Sequence, residues 1–369
     1  MLEGGRVAGG TGEAGAPREA SLTRLRFVLI SWVVLYHLDL ALRVSAGLPW
    51  LAPVLGVGYL GVDGFFLLSG FALWVGYAAR PPSGWQGVGA FLLRRVAKIW
   101  PLHLAALLGL LAVVLAAVQL GIPIREPERF SAEDFLLQLL LVNAWETTDR
   151  LAWNYPSWAL SAEWAGYLAF PLLLWGMLRL PAPLVPALAL GALGGLAWLG
   201  SLNPGVGLNY TVHLGLVRFG CEFLLGMALG RLATSGRLPA WTLAGAAAVP
   251  AGLALGQDAL VVAGLAAAIA GLWLRGQRRR VAGAPRQDLV LRLGEASFGV
   301  YLCWVFVEAA LVGLLRVAEP GLAARLGLMA GAFALNLLLG WLAWRLVEVP
   351  AHRWILGRRR PAPVPAAAG

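Results

Sequence analysis

The sequence predicts an all-α, polytopic integral membrane protein with about ten transmembrane helices. Its 369 residues are 59% hydrophobic and 13% charged, and the mean hydropathy of +0.74 is far above that of a typical soluble domain. Apolar runs of the length that a membrane-spanning helix needs, about 20 residues, recur along nearly the whole chain. They lie near residues 24–44, 55–78, 99–120, 158–178, 183–200, 213–230, 241–256, 258–274, 293–315 and 323–346.

The basic residues lie in short clusters between the apolar runs. The formal net charge is +10, but the positive-inside rule explains this excess without a nucleic-acid partner. Alternate inter-run segments hold most of the Lys and Arg residues, so we expect both termini to be cytoplasmic in the cell inner (plasma) membrane. The longest outer loop, about 121–157, is rich in acidic residues.

The chain divides into one membrane domain and two short tails. Residues 1–20 contain no apolar run typical of a cleavable signal peptide, and residues 357–369 are basic and then rich in Pro and Ala. Both tails are predicted to be disordered and cytoplasmic, with the transmembrane domain at 21–356. Cys221 and Cys303 show no paired spacing, so neither a metal site nor a disulfide framework is indicated.

A histidine and an arginine share one face of the first run. His37 lies well inside the apolar segment, and Arg26 precedes it by eleven residues, about three helical turns and a rise of about 16 Å. Ionisable groups inside a span are costly and mark candidate functional sites. A cation at the rim and an imidazole at mid-depth would suit coenzyme A, which has phosphates at one end and a reactive group at the other. The structural alternatives are a packing histidine and a topological anchor arginine.

The second run is rich in glycine and contains two polar residues, Asp63 and Ser69. Asp39 is nearer to His37 in sequence, but a step of two residues points about 200° around a helix. Asp63 is therefore the more plausible partner to orient the imidazole. The alternative interpretation of the glycines is close helix packing.

Two further segments carry polar clusters. Arg94, Arg95 and Lys98 fall at the predicted cytoplasmic start of the third run, where a helix N-terminus and three cations would bind phosphates. Membrane topology is the alternative explanation for these cations. Near the outer end of the fourth run lie the polar residues Ser157, Ser161 and Glu163, where a soluble acceptor could arrive.

Taken together, these segments resemble the acyltransferase 3 family, membrane O-acyltransferases that modify bacterial surface glycans and some macrolides. The resemblance extends over most of residues 21–356, and the order and spacing of its motifs make the set specific. The matching features are the Arg26 to His37 spacing, GVDGFFLLSGF at 61–71, RRVAKIWP at 94–101, PSWALSAEW at 156–164, and more weakly RFGCEFLLGMALG at 218–230, GEASFGVYL at 294–302 and RLVEVPAHRW at 345–354.

The resemblance implies transfer of an acyl group from cytoplasmic acyl-CoA to an acceptor hydroxyl on the outer side, without a metal. Acetyl-CoA is the simplest donor, and an envelope carbohydrate or a small molecule such as a macrolide is the acceptor. The resemblance assigns the catalytic role to His37 and phosphate binding to Arg26, Arg94, Arg95 and Lys98. Lys98 stands where the family usually has Arg. Lysine keeps the positive charge but cannot form the bidentate hydrogen bonds of a guanidinium.

Two other positions depart from the family pattern. Phe298 replaces a frequent Tyr, and Trp304 stands where many relatives carry a His in the ninth span. A different acceptor or a loss of activity would explain these departures.

The mechanistic hypothesis is general base catalysis. His37, held by Asp63 or Glu163, would take the proton from an acceptor hydroxyl as it attacks the thioester. Ser69, Ser157 and Ser161 are candidate substrate-binding residues, and a covalent acyl-histidine remains an alternative. Rival interpretations are a proton-coupled transporter or flippase, in which the buried ionisable groups form a pathway, and a non-catalytic scaffold.

Overall fold

Every regular element among the described residues is a helix. The computed structural model describes residues 20–124, 126–279, 288–315 and 319–357, so the predicted tails lie outside this part of the chain apart from Ala20 and Gly357. The helices are α1 Ala20–Leu42, α2 Val44–Gly47, α3 Ala52–Leu55, α4 Leu60–Tyr77, α5 Gly84–Gln119, α6 Ala132–Leu139, α7 Ser157–Arg179, α8 Leu184–Leu202, α9 Gly215–Thr234, α10 Ala248–Leu255, α11 Asp258–Arg279, α12 Leu289–Glu295, α13 Ser297–Leu315, α14 Leu322–Ala343 and α15 Val349–Gly357. Short 3₁₀ helices lie at Pro49–Leu51, Pro127–Phe130 and Thr242–Ala247.

Seven helical segments of the described chain are long and apolar enough to cross a membrane. They are Ala20–Leu42, Pro49–Tyr77, Gly84–Gln119, Leu184–Leu202, Asp258–Arg278, Ser297–Leu315 and Leu322–Gly357. The other three predicted spans fall on α7, on α9 and on the shorter apolar segment Thr242–Leu255. The all-α membrane fold is therefore confirmed, while the number ten stays a prediction.

The third predicted span is part of a much longer helix. Helix α5 has 36 residues and begins at Gly84, fifteen residues before the predicted start, and it continues through Pro101. Arg94, Arg95 and Lys98 therefore lie well inside a continuous helix. The prediction that a helix N-terminus contributes to phosphate binding there is wrong, because the field of a helix end falls off within its first turn.

Glycines bring α4 into close contact with two neighbours. A Cβ on Gly61 would lie 2.6 Å from the Leu29 carbonyl of α1, and a Cβ on Gly70 would collide with the Phe223 carbonyl of α9. The packing interpretation of these glycines is thus confirmed. Because α4 lies between α1 and α9, its polar residues face the interior of the bundle.

The 120–156 segment folds over one end of the bundle, which we call the loop end. Its helix α6 is capped by Ser131, whose hydroxyl accepts a hydrogen bond from the Asp134 N–H at 3.0 Å. Glu146 accepts hydrogen bonds from His213 at 2.7 Å and from the Leu214 N–H at 2.8 Å, just before α9. The hydrogen bond between them raises the pKa of His213 and lowers the pKa of Glu146, so the pair stays charged over a wider pH range.

The opposite end of the bundle is called the basic end and contains Arg24, Arg94 and Lys98. Arg24 forms an ion pair with Asp288 at 2.7 Å, which joins the start of α1 to the start of α12. A π-helical turn, Trp344–Glu348, connects α14 to α15 at this end. Pro350 follows the turn and has no N–H to offer the carbonyl four residues earlier, which accounts for the irregular helix.

Candidate active site

His37 carries its proton on the nitrogen that faces its own helix. Its Nδ1 lies 2.8 Å from the carbonyl oxygen of Val33, one turn earlier in α1. A carbonyl only accepts hydrogen bonds, so this contact places the proton on Nδ1 and leaves the Nε2 lone pair available. The side chain is partly accessible. Such an imidazole has the geometry of a general base.

Aromatic rings, rather than a carboxylate, hold the imidazole of His37. The Trp304 ring of α13 lies against it with centroids 4.0 Å apart and planes at 30°, and Tyr36 approaches edge-on at 4.8 Å. Tyr155 packs edge-on against Trp304 at 4.9 Å, and its hydroxyl hydrogen bonds with Glu308, one turn beyond Trp304. The indole N–H of Trp304 is buried and has no hydrogen-bond partner among the described residues.

Asp63 is bonded to an arginine and not to His37, contrary to the orienting role predicted for it. The Arg218 guanidinium of α9 donates to both Asp63 oxygens, with Nε 3.1 Å from Oδ1 and a shorter contact from Nη2 to Oδ2. Both side chains are completely buried, and Glu222 lies 3.6 Å from Arg218 Nε. A carboxylate in an apolar interior is stable only beside a cation, and Arg218 is that cation.

Glu163 also has partners other than His37. Its Oε1 accepts hydrogen bonds from the Ser69 hydroxyl at 2.8 Å and from the Tyr167 hydroxyl at 2.5 Å. No described hydrogen bond joins Glu163 to the imidazole. Ser69 therefore binds a carboxylate of the protein, and this cluster joins α4 to α7.

Ser157 and Ser161 stabilise the protein interior. Both are completely buried. Ser161 accepts a hydrogen bond from the Ala144 N–H at 3.0 Å, and Ser157 accepts one from the Asn143 side chain at 3.4 Å. These contacts fix the 143–145 turn on the start of α7 and do not support the predicted acceptor contacts, because buried loop donors need protein acceptors.

The predicted phosphate-binding cations point to different partners. Arg94 Nε donates to the Tyr77 hydroxyl at 3.2 Å, and the Arg95 guanidinium lies 5.6 Å from the centre of the Tyr167 ring. Lys98 forms an ion pair with Glu348 of the π turn. Arg26 lies half-buried on α1, eleven residues before His37. The basic end therefore assembles cations from α1 and α5, with Glu348 as a competing anion.

Among the described residues, no three His, Cys, Asp or Glu side chains are grouped as a metal site. Sequence reasoning gave no role to Arg218, Trp304 or Glu348. For Arg218 the sequence did offer a signal, because an arginine and a glutamate, Glu222, lie four residues apart within one apolar run.

The fold and the site define a helical membrane protein with a buried polar centre and a half-buried histidine whose Nε2 is left without a proton. Residues 19–345 match the model of a family described as an acyltransferase domain, so the chain belongs to this acyltransferase family. It is thus an enzyme that transfers acyl groups other than aminoacyl groups.

Two relatives cover most of the chain. The acyltransferase MdmB of Streptomyces mycarofaciens is 32% identical over 357 residues, which cover 84% of this chain and 85% of the relative. The exopolysaccharide production protein ExoZ of Rhizobium meliloti is 29% identical over 323 residues, covering 82% and 92%. No solved structure matches the chain.

Proposed function

We propose that this protein transfers an acyl group, acetyl in the simplest case, from acyl-CoA to a hydroxyl of an envelope carbohydrate. The observation that carries the proposal is the 2.8 Å contact of His37 Nδ1 with the Val33 carbonyl, which leaves Nε2 to act as a base. The relative named for exopolysaccharide production favours a carbohydrate acceptor.

The proposed reaction needs one base, and His37 serves first as base and then as acid. The acceptor hydroxyl attacks the thioester carbonyl while Nε2 takes its proton. The tetrahedral intermediate then expels the CoA thiolate, which receives that proton, so the products are an acyl ester and free CoA. Trp304 acts as a positioning residue because its ring limits rotation of the imidazole.

The basic end is the proposed donor side. With this end facing the cytoplasm and the protein in the inner membrane, acyl-CoA would reach Arg26, Arg94, Arg95 and Lys98, and the acceptor would enter from the loop end. The positive-inside rule supports this orientation. Arg26 and His37 are about 16 Å apart along α1. This separation suits an acyl-CoA donor whose phosphates lie at Arg26 while its thioester reaches His37.

Substitution Arg94→Gln is expected to weaken acetyl-CoA binding about tenfold, because it removes one charge-assisted contact with a phosphate. Titration of the purified protein in neutral detergent measures this change, and acetyl-CoA hydrolysis shows whether turnover at saturation is kept. Arg237→Gln, which changes an exposed arginine between α9 and α10, is the matched control. Wild-type protein that neither binds nor hydrolyses common acyl-CoA donors would contradict the proposed donor.

Substitution Glu348→Gln tests the role of Lys98 in the opposite direction. The variant removes one negative charge beside Lys98, so the positive potential at the basic end rises and acetyl-CoA should bind several-fold more tightly. The same titration measures the effect, with the salt concentration held constant. If Lys98 and Glu348 serve only to connect α5 with the π turn, affinity will stay at the wild-type value and only thermal stability will fall.

A further inference from the structure

A second basic site lies at the loop end, just beyond the C-terminus of α1. An open pocket of about 310 Å³ lies between α2 and the start of α14, lined by Ala46, Gly47, the 320–322 turn and two arginines, Arg43 and Arg325. No carboxylate is among these lining residues. Two guanidinium groups that face one pocket repel each other unless an anion lies between them.

Arg43 is held in a conformation that ordinary side chains rarely adopt. Its φ of 51° is in the left-handed region, which is unfavourable for a residue with a Cβ. Its N–H donates to the Asp39 carbonyl at 2.7 Å, while the Asp39 carboxylate accepts hydrogen bonds from the Ser45 N–H at 2.8 Å and the Ser45 hydroxyl at 2.5 Å. Asp39 is therefore occupied by Ser45, and the exposed guanidinium of Arg43 forms no described ion pair.

Arg325 lines the other part of the pocket. Its Nε donates to the Pro320 carbonyl at 2.8 Å, and its Nη1 donates to the Leu42 carbonyl at 3.3 Å. These carbonyls orient the guanidinium but leave its charge uncompensated. The nearby N-terminus of α14 has no side-chain cap, so its free N–H groups add to the positive potential. The carboxylate next in sequence, Glu319, is exposed and does not line the pocket.

We propose that this pocket binds a phosphate-bearing anion through Arg43 and Arg325. Its volume is many times the roughly 10–15 Å³ that a cavity needs to hold one water, which is enough for a phosphate group with its ester substituent. Trp50, 73% exposed in the 3₁₀ helix after α2, is typical of the membrane interface. The phosphate can therefore come from a phospholipid headgroup or from a soluble compound. This proposal does not depend on the acyl-transfer reaction.

Direct binding measurements on the full chain in neutral detergent test this site. The probes are inorganic phosphate, dihexanoyl phosphatidylglycerol and dihexanoylglycerol, which lacks the phosphate. Arg43→Gln should weaken phosphate-dependent binding about tenfold, whereas Arg43→Lys should retain much of it. Both variants keep a Cβ at the left-handed position and leave the contacts of Arg325 intact. Arg237→Gln is the control for loss of one positive charge far from the pocket.

The three probes distinguish the source of the phosphate. Binding of phosphatidylglycerol alone supports a lipid headgroup, and binding of inorganic phosphate as well supports recognition of the phosphate group itself. The proposal is overturned if neither phosphate probe binds the wild-type protein, or if dihexanoylglycerol binds as tightly as phosphatidylglycerol. The proposal is also overturned if the Arg43→Gln and Arg237→Gln variants bind the phosphate probes with equal affinity.

Discussion

Replacement of His37 by asparagine is expected to reduce acyl transfer by about 10²–10⁴-fold, the usual contribution of a general base. Asparagine can keep a hydrogen bond to the Val33 carbonyl through its side-chain N–H, but it offers no basic nitrogen in place of Nε2. Turnover of acetyl-CoA with a saturating acceptor, or its slow hydrolysis without one, measures the loss. Acetyl-CoA affinity should change little, because His37 is assigned to the reacting end of the donor.

The control for His37 is a second histidine, His103 of α5, which is completely buried. Its Nε2 donates to the Gln138 carbonyl at 2.8 Å, and the side-chain amide of glutamine can replace that donor. His103→Gln should retain most activity. A His37→Asn variant that turns over at the wild-type rate, or a His103→Gln variant that loses as much activity, would contradict the assignment of His37 as the base.

Replacement of Arg218 by methionine is expected to destabilise the fold by about 3–5 kcal/mol, the usual cost of breaking a buried ion pair from one side. Arg218 is completely buried, and its loss leaves Asp63 without its counter-ion next to Glu222. The Tyr210 carbonyl also loses a hydrogen bond of 3.1 Å. The fraction of monodisperse protein that survives heating in detergent measures the effect, because membrane proteins commonly unfold irreversibly.

The double variant Arg218→Met with Asp63→Leu separates this electrostatic cost from lost packing. Replacement of both members of a buried pair by apolar side chains is often nearly neutral, so the double variant should recover much of the stability that the single variant loses. A single variant as stable as the wild type would show that the pair is not needed for folding. An equal loss of stability in both variants would instead assign the effect to the lost packing of the arginine side chain.

The membrane class and the position of the candidate base followed from local patterns. Each apolar run needs only its own side chains to be recognised as a span, and an imidazole inside such a run is exceptional by itself. The close packing of the α4 glycines was likewise available from the segment GVDGFFLLSGF. The start of α5 was mispredicted because its first half is half-polar, so hydropathy does not reveal that the helix continues.

The partners of the polar groups could not be assigned from sequence. Asp63 was expected to orient His37, yet it is paired with Arg218, 155 residues away in the chain. Glu163 similarly bonds with Ser69, 94 residues away, and Lys98 with Glu348, 250 residues away. Helical periodicity shows which residues share a face of one helix, but it does not show which helix lies against that face.

The sequence by itself determined that this chain is a helical membrane protein of the acyltransferase type, with His37 as its candidate base. Only the tertiary structure decided what surrounds that base: the Trp304 ring against it, and carboxylates that belong to other clusters. The physical reason is that hydrophobicity is a property of each segment, whereas the pairing of buried charges depends on which helices pack together. In an apolar interior each charged group pairs with an opposite charge close to it, and the packing of the helices sets the distance between the two groups.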